Sequence, residues 1–260
     1  MITKMIGELQ KMNKEREKLI LELMLKEKHV TVKQLARTLY ASEPSIRRDL
    51  ASLEAAQLIR RVHGGAILNE NGSGDTKIPF TIRALEQSNE KIIIAKKATS
   101  LVKDGDVIFL DASSTAFNMI PFLADKKDIT VITNGIKAIN ALCEYNEGHI
   151  RTISTGGKVH PSCLALVGED AFVTVEQYNA DVFFFACRGL SMDGRLTDIA
   201  PDEDYVRLKM LARSKRSYLL CTAEKIGKMY YHNLCSIDRV TGAVFGAPPP
   251  ETLEKYAVEL

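Results

Sequence analysis

The spacing of apolar residues predicts an amphipathic helix that begins near Ser42. Ile46, Leu50 and Leu53 recur at i, i+4 and i+7, so they form one apolar stripe along a helix. Ser42 is a favoured N-cap residue, and Pro44 falls in the first helical turn, where its missing N–H costs nothing. We therefore expect a helix that starts at Ser42 and buries one face.

Two more helices are predicted ahead of this one. Thr31 and Gln34 have the spacing of a capping box, which predicts a short helix after Thr31. Residues 4–28 are rich in Lys and Glu and carry an apolar face that includes Leu19 and Leu23. We expect these helices to pack together with the helix that begins at Ser42.

A short basic segment follows the third helix and then turns sharply. It consists of Arg60, Arg61, Val62 and His63, and it ends at the pair Gly64-Gly65. A strand followed by such a tight turn is typical of the hairpin called a wing in winged helix-turn-helix domains. The segment therefore predicts a wing.

Three polar side chains lie off the apolar stripe near the N-terminal end of the third helix: Ser45, Arg47 and Arg48. That end enters the major groove in helix-turn-helix proteins. Paired arginines are usually a solvated helix face and Gly-Gly is usually a turn, so neither feature alone indicates DNA binding. The order of two short helices followed by a basic wing favours DNA binding.

Short apolar strands alternate with helical stretches through the rest of the chain. Helical spacing occurs over residues 89–102 and 117–123, and each strand ends in a short run of polar residues or glycines. This alternation predicts an α/β domain with a mainly parallel sheet that is covered on both faces. The predicted strands are residues 107–110, 129–132, 150–154, 182–187, 217–221 and 240–245.

A polar segment that contains glycine separates the two parts of the chain. Residues 69–78 have no apolar period, so we interpret them as a linker between residues 1–68 and residues 79–260. Residues 1–70 carry 13 Lys/Arg against 9 Asp/Glu, whereas the whole chain carries 35 against 33. This excess of positive charge fits a small DNA-reading domain joined to a domain that does not touch DNA.

The five cysteines and five histidines are scattered along the chain. No two cysteines form a CxxC pair and most lie in apolar runs, so we expect reduced thiols, no metal site and no cofactor. No apolar run approaches the ~20 residues needed to cross a bilayer, and the N-terminus lacks a signal segment. We therefore expect a cytoplasmic protein with no membrane partner.

Small polar residues cluster at the ends of the predicted strands, where parallel α/β sheets bind ligands. Residues 111–115 offer hydroxyls and backbone N–H groups at a helix N-terminus, which favours an anion such as phosphate. Residues 133–134 repeat this arrangement, and the glycines at 156–157 allow a ligand to approach the backbone. Each loop could merely cap a helix or make a turn, but several loops at one edge favour a pocket. Positive charge is available there from Arg188, Arg207 or Lys225.

With these motifs the chain resembles the DeoR-type bacterial transcriptional regulators. The resemblance rests on the helix sequence VTVKQLARTL, the run SEPSIRRDL and the wing sequence RRVHGGA. It implies that Ser45, Arg47 and Arg48 face DNA, while Asp49 holds a neighbouring basic side chain in place. The expected DNA-binding residues are Thr31, Ser42, Ser45, Arg47, Arg48, Arg60, Arg61, His63 and Gly64.

The resemblance continues through residues 14–245, more loosely in the second domain. It implies that this domain is related in fold to ribose-5-phosphate isomerase and senses a phosphorylated sugar or a similar metabolite. Residues 111–115 and 133–134 resemble the family's D-x-G-T-T and T-N loops. The expected effector-binding residues are Asp111, Ser113, Ser114, Thr115, Thr133, Asn134, Gly156, Gly157, Arg188 and Lys225.

Some positions depart from the family pattern. Tyr40 stands where the family usually has Gly in the turn between the second and third helices, and Ser113 replaces Gly in its loop. Where the family commonly has D-x-S-K-F-G, this chain has TAEKIG, so Thr222 and Glu224 replace Asp and Ser. The carboxylate of Glu224 would weaken phosphate binding unless it faces a sugar hydroxyl or points away.

The function favoured by these features is a DNA-binding transcriptional regulator, a repressor of a sugar-metabolism operon controlled by a phosphorylated sugar. It would bind double-stranded operator DNA as a homodimer or homotetramer, since helix-turn-helix regulators usually read paired half-sites. One alternative is a sugar-phosphate isomerase, for which Asp111, Asp181 and Lys225 are the candidate acid-base groups. The other is a regulator whose pocket is vestigial. We expect no catalytic residues.

Overall fold

The computed structural model describes residues 2–68, 79–145 and 149–259, with side chains from Asn13 onward. The chain divides into two compact units, Met1–Glu86 and Gln87–Leu260. The expected linker, residues 69–78, lies outside the described residues. Residues 79–86, which the sequence placed at the start of the second domain, group with the first unit. They do so because Ile82 and Leu85 pack on its hydrophobic core.

In the described residues, the first unit combines four helices with a small antiparallel sheet. Its elements in chain order are α1 Ile2–Glu27, β1 His29–Thr31, α2 Val32–Thr38, α3 Glu43–Ala55, β2 Ile59–Val62, β3 Gly65–Leu68 and α4 Phe80–Leu85. The strand order is β1-β3-β2, and β2 and β3 form the hairpin of the wing. The predicted winged helix-turn-helix arrangement is therefore present.

The predicted apolar stripe of α3 lies at the centre of this unit. Ile46, Leu50 and Leu53 are buried, and they share one core with Met24 of α1 and Leu35 of α2. Burial of such side chains contributes roughly 1.5–3 kcal/mol each. The stripe therefore holds α3 in place and leaves its opposite face exposed to solvent.

The two glycines of the wing are required for different reasons. Gly64 has φ +77, a left-handed conformation that a residue with a Cβ adopts at a cost. Gly65 lies so close to β1 that a Cβ would fall 2.1 Å from the carbonyl oxygen of Val30. The turn needs the first glycine, and the pairing of β3 with β1 needs the second.

The second unit is built around a six-stranded parallel sheet. Its strands have the order β14-β12-β9-β4-β5-β6. In chain order the elements are α5 Ser88–Ser100, β4 Val107–Leu110, α6 Ser114–Phe117, α7 Ile120–Leu123, β5 Ile129–Thr133, α8 Ile136–Tyr145, β6 Ile150–Ser154, β7 Lys158–His160, β8 Ala165–Val167, α9 Glu169–Glu176, β9 Ala180–Phe185, β10 Gly189–Leu190, β11 Arg195–Asp198, α10 Pro201–Ala212, β12 Ser214–Cys221, the 3₁₀ turn Ala223–Lys225, β13 His232–Ser236, the 3₁₀ turn Ile237–Arg239, β14 Gly242–Phe245 and α11 Glu251–Glu254.

Both faces of this sheet are buried, as its apolar strands predict. On one face Phe109 and Phe183 pack with residues of α9 and α10. On the other face Ile108 and Phe184 pack with residues of α5, α7 and α8. The loops at the carboxyl ends of the strands are therefore anchored to a rigid core.

The structure also contains strands that the hydrophobic pattern did not predict. Strands β10, β11 and β13 form a separate antiparallel sheet, and β7 and β8 form a hairpin. These strands have only two to five residues, so they are too short to show a clear alternation. The stretch 117–123, expected to be one helix, contains only the last residue of α6, Phe117, and the separate four-residue helix α7.

Three further features of the described residues concern membrane-spanning helices, disulfides and metal-binding clusters. No helix among the described residues is long and apolar enough to cross a membrane. All five cysteines are free thiols, and Cys163, Cys187 and Cys221 are buried. Within the described ranges, no group of His, Cys, Asp and Glu side chains is arranged to hold a metal ion.

Candidate functional site

The N-terminal end of α3 carries polar side chains with weak internal contacts. Ser42 caps the helix, because its hydroxyl accepts a hydrogen bond from the Ser45 backbone N–H at 3.4 Å. The Arg47 guanidinium lies 3.5 Å from the Glu43 carboxylate, and Arg48 donates to the Ser45 hydroxyl at 3.4 Å. Such long, exposed contacts contribute little to stability. These arginines can therefore exchange their contacts for a DNA ligand at little cost.

The start of α2 is fixed by the predicted capping box. The Gln34 backbone N–H donates to the Thr31 hydroxyl at 3.2 Å, and the Thr31 backbone N–H donates to the Gln34 side chain at 3.0 Å. The Thr31 hydroxyl is thus already engaged within the helix start. Its contact with DNA stays a prediction.

A partly buried ion pair holds α3 against α1. Asp49 is almost fully buried and accepts hydrogen bonds from the Nε and Nη2 atoms of Arg16 at 2.5 and 3.0 Å. The hydrogen bond to Asp49 raises the pKa of Arg16 above its ordinary value. The expectation that Asp49 holds a basic side chain is confirmed. The partner is Arg16 of α1, which the sequence did not identify.

The two arginines of the wing have different surroundings. The Glu54 carboxylate accepts from the Arg61 backbone N–H at 2.9 Å and from Arg61 Nε at 2.6 Å. These two hydrogen bonds, the backbone one first, hold the pKa of Glu54 below its usual range. In the part of the chain that the structure describes, the Arg60 side chain makes no hydrogen bond or ion pair. His63 and Gly64 are exposed at the tip of the hairpin.

In the second unit, Asp111 has partners on every side. Its Oδ1 accepts from the Ser113 backbone N–H at 3.1 Å, and its Oδ2 accepts from the Ala186 backbone N–H at 3.2 Å and from Arg207 Nε at 3.1 Å. The Asp111 side chain is also almost fully buried. It therefore shapes the loop after β4 and ties that loop to β9 and α10.

Arg207 of α10, named by the sequence as a possible ligand cation, is enclosed by carboxylates. It lies 2.7–3.3 Å from Asp111, Asp198, Glu203 and Asp204. His232 contacts Asp204 at 2.6 Å. Burial raises the pKa of Asp204, while the charge of Arg207 opposes that rise. The guanidinium is thus committed within the protein.

The loops after β4 and β5 lie side by side, because these strands are neighbours in the sheet. The Ser113 hydroxyl caps α6 by accepting from the Ala116 N–H at 3.1 Å, and Ser114 and Thr115 follow it at the start of that helix. A Cβ on Gly135 would meet Ala112 Cα at 3.1 Å, so the two loops touch.

Residues 133–134 contribute one buried atom without a partner. The Thr133 hydroxyl accepts from the Gly135 N–H at 3.0 Å, and Asn134 Nδ2 donates to the Leu166 carbonyl at 3.2 Å. Asn134 Oδ1 is buried and makes no hydrogen bond within the described residues. An unpaired buried acceptor costs free energy, so this atom is a candidate ligand contact.

The glycine pair after β6 serves the packing of the protein itself. Gly156 and Gly157 have φ +66 and +106. A Cβ on Gly157 would fall 2.5 Å from the Val167 carbonyl oxygen, so β8 requires a glycine there. The backbone N–H of Thr155 donates to the Thr133 carbonyl at 3.1 Å, which places this loop beside residues 133–134.

The loop that contains Lys225 follows β12. The Ala223 backbone N–H in this loop donates to the Glu90 carboxylate of α5 at 2.8 Å, a contact that the sequence did not reveal. The Thr222 hydroxyl is buried and has no hydrogen-bond partner among the described residues. Lys225 and Glu224 are half-buried. The loop is thus fixed to the core and presents one cation and one carboxylate.

The expected effector-binding residues do not form a single contact cluster. Strands β9 and β4 lie between β12 and β5, so Lys225 and Asn134 follow strands about 14 Å apart. Arg188, half-buried, follows β9 between them.

Burial raises the pKa of the Cys221 thiol at the end of β12 to about 12. This thiol is therefore neutral and inert.

Comparison with known proteins identifies relatives of both units. Residues 16–72 match the DeoR-like helix-turn-helix domain, and residues 86–246 match the DeoR C terminal sensor domain. The uncharacterized HTH-type transcriptional regulator FruR of Bacillus subtilis is 34% identical over 87% of this chain and 88% of its own. The lactose phosphotransferase system repressor of Staphylococcus aureus is 30% identical over 94% of this chain and 96% of its own.

Among solved structures, ribose 5-phosphate isomerase A from Methanocaldococcus jannaschii is similar at 18% identity. The similarity covers 54% of this chain and 55% of the isomerase, with a TM-score of 0.41. The sequence relatives, by contrast, are matched over nearly their whole length. With both family domains present in order, the chain belongs to the DeoR family of DNA-binding transcriptional regulators.

Proposed function

We propose that this regulator represses a sugar-metabolism operon and responds to a phosphorylated sugar bound at the carboxyl edge of its parallel sheet. The observation that carries the proposal is the pair of touching loops after β4 and β5. They combine the hydroxyls of Ser113, Ser114 and Thr115 with the unpaired, buried Asn134 Oδ1. The relative named as a lactose phosphotransferase system repressor supports the same kind of function.

The residues of the site would have distinct tasks. Ser114, Thr115 and the backbone N–H groups around them would bind the phosphate, since N–H groups at a helix start favour anions. Thr133 and Asn134 would contact sugar hydroxyls. Asp111 would position the loop rather than touch the ligand, because its oxygens are already occupied.

Lys225 and Arg188 would supply long-range attraction for the phosphate. Glu224 stands beside Lys225, and four carboxylates surround Arg207. This negative charge would disfavour an effector with a second anionic group. Gly156 and Gly157 would only shape the wall of the site, because packing already requires them. We therefore expect a sugar with a single phosphate.

DNA recognition would divide between base readout and backbone contacts. Ser45, Arg47 and Arg48 would read base edges in the major groove. Arg60 would contact phosphates from the wing, while Arg61 would contribute less because Glu54 holds it. Two or four copies of the chain would bind paired half-sites. The remaining expected contacts are Thr31, Ser42, His63 and Gly64.

Two of the three candidate acid-base groups for an isomerase activity, Asp111 and Asp181, are engaged by other residues, which leaves Lys225 alone. Asp181 lies near the amino end of β9, the edge opposite the loops, where it accepts from Lys215 at 2.7 Å and from the Val107 N–H at 3.0 Å. Asp111 is held by Arg207. Proton transfer requires a group within reach of the substrate, and these carboxylates are engaged elsewhere. We therefore propose no catalytic role.

The experiment that tests the effector is thermal unfolding of the full chain against sugar phosphates, each paired with its unphosphorylated sugar. A ligand at a hundred times its dissociation constant stabilises the folded state by ~2.7 kcal/mol. We expect one phosphate to raise the midpoint and its free sugar to leave it unchanged. The absence of a shift with every compound would contradict the proposed pocket.

A second measurement tests the link to DNA. The full chain selects its duplex from a random DNA pool, and binding is then measured with and without the stabilising sugar phosphate. A ligand that binds the DNA-free state more tightly should weaken DNA binding by roughly five- to 150-fold. Unchanged binding in its presence would contradict control of DNA binding by the effector.

A further inference from the structure

An exposed aromatic side chain occupies the turn between α2 and α3 of the first unit. Tyr40 has φ +49, and its side chain is 97% exposed. In the ranges that the structure describes, Tyr40 takes part in no side-chain hydrogen bond, ion pair or ring contact. Its ring therefore contributes no packing to the free protein.

The backbone of this turn requires the left-handed conformation whichever residue occupies it. Helix α2 ends with the C-cap residue Leu39, and the Ala41 N–H donates to the Ala36 carbonyl at 3.0 Å. This 6→1 hydrogen bond belongs to a Schellman motif, which places the residue after the C-cap in the left-handed region. Glycine adopts that region freely, whereas a side chain with a Cβ makes it costly. Tyr40 is thus a strained choice at a position suited to glycine.

The position of Tyr40 relative to α3 points to its use. It lies two residues before Ser42, the N-cap of α3, and two residues span at most ~7 Å. The N-terminal end of such a helix enters the major groove, which is ~12 Å wide and bordered by phosphates. A side chain just ahead of that end therefore lies at the rim of the groove. Tyrosine hydroxyls are among the groups that bind DNA phosphates.

We propose that Tyr40 is a DNA-contact residue whose hydroxyl donates a hydrogen bond to a backbone phosphate at the rim of the major groove. The contact is neutral, so it fixes the position of α3 on the duplex without releasing a counterion. The DNA contact would account for the strained backbone and the exposed ring of Tyr40 in the free protein. The free protein would be at least as stable with glycine at this position, but it would bind DNA less tightly.

The test uses the full chain and the duplex that the wild-type chain selects from a random DNA pool. Y40F removes only the hydroxyl, and Y40G also removes the strain. We expect both variants to bind this duplex about tenfold more weakly, the loss of a hydrogen bond to a charged group. We expect Y40G to unfold at the same temperature as the wild type or at a higher one.

The salt dependence of binding distinguishes this contact from a charged one. For Y40F the slope of log affinity against log salt should equal that of the wild type, because a neutral donor releases no counterion. For R60A, which removes an exposed cation of the wing, the slope should fall by about 1. A reduced slope for Y40F would contradict the neutral contact.

Gln57 offers a matched control for backbone strain. It also has a positive φ, +59, and it lies exposed in the turn after α3. Q57G should leave DNA affinity unchanged, whereas Y40G lowers it. Wild-type affinity of Y40F would overturn the proposed hydroxyl contact. A clear loss of thermal stability in Y40G would also overturn it, because the ring would then have a structural role in the free protein.

Discussion

Two arginines, one in each unit, have opposite surroundings. In the first unit Arg47 is 61% exposed and lies 3.5 Å from a single carboxylate. In the second unit the Arg207 side chain is 6% exposed and lies within 3.3 Å of four carboxylates. The first arginine is left available for a partner outside the protein, and the second is saturated by partners inside it.

Burial and the number of carboxylate partners therefore decide whether a cation near a functional site can bind a ligand. An exposed ion pair contributes only ~0–1 kcal/mol, so DNA phosphates can replace it readily. A buried arginine cannot leave its carboxylates without exposing several uncompensated charges. Arg207, held by four carboxylates, is therefore not available to bind an effector at the sheet edge. Lys225 remains, since its ammonium makes no hydrogen bond or ion pair within the described residues.

The largest expected effect is a loss of stability when Arg207 is replaced by a neutral residue. Arg207→Met keeps a long apolar side chain but leaves four buried carboxylates without the guanidinium that they share. Breaking a buried charge cluster in this way costs about 3–5 kcal/mol. We expect a loss of that size in urea unfolding of the second unit, followed by far-UV circular dichroism.

Arg195 provides the matched control for this substitution. It lies in the same unit and pairs with Asp193 at 2.9 Å, but both side chains are at least half exposed. Arg195→Met should therefore change the free energy of unfolding by less than about 1 kcal/mol. Equal losses in the two variants would contradict the distinction between saturated and available arginines.

Replacement of Arg47 is expected to have a smaller effect, on DNA binding and not on stability. Arg47→Ala should weaken binding to the selected duplex by roughly 1–3 kcal/mol while leaving the fold intact, because a base contact is lost. Affinity measured by fluorescence anisotropy and the unfolding midpoint report these two effects separately. Unchanged affinity would remove Arg47 from base readout.

A still smaller effect on stability is expected from Thr222, whose unpaired hydroxyl lies at the carboxyl end of β12. Thr222→Val removes a buried group that has no partner among the described residues, so we expect the ligand-free protein to gain about 1 kcal/mol of stability. If this hydroxyl contacts the effector, the midpoint shift caused by the sugar phosphate should shrink. Both quantities come from the same thermal unfolding series.

Thr152 of β6 is the control for this hydroxyl. Its oxygen is also buried without a hydrogen-bond partner in the described ranges, but it lies within a strand rather than in a loop of the site. Thr152→Val should give a similar gain in stability and leave the effector shift intact. Equal reductions of that shift in both variants would exclude a specific contact at Thr222.

The sequence predicted those features that depend on local periodicity. The stripe of α3, the cap at Ser42 and the parallel strands all follow from residues close together in the chain. Pairings between distant residues were not predictable in the same way. Arg207 and Asp111 are 96 residues apart, and Glu90 and Ala223 are 133 apart. Only the folded chain reveals which expected ligand groups are already occupied.

The smallest expected effect is on stability and concerns Glu54. This residue is an internal partner of Arg61, so Arg61 of the wing is intermediate between the available Arg47 and the fully paired Arg207. The pKa of Glu54 is lowered, first by the hydrogen bond from the Arg61 backbone N–H and then by the one from its side chain. Because the folded-state pKa lies below the unfolded-state pKa, this stabilisation is fully present above the unfolded-state value, about 4.3. It is lost as the pH falls through the folded-state value.

Glu54→Gln removes the titrating group, so the stability difference between the wild type and this variant should shrink as the pH falls from about 6 to about 3. Thermal unfolding of both proteins across this range measures the difference. Lys33→Gln is a suitable control, since Lys33 is exposed on α2 of the same unit and pairs with no carboxylate among the described residues. A difference that stays constant with pH would mean that Glu54 does not hold Arg61 through its charge, and the two wing arginines would then be equally available to DNA.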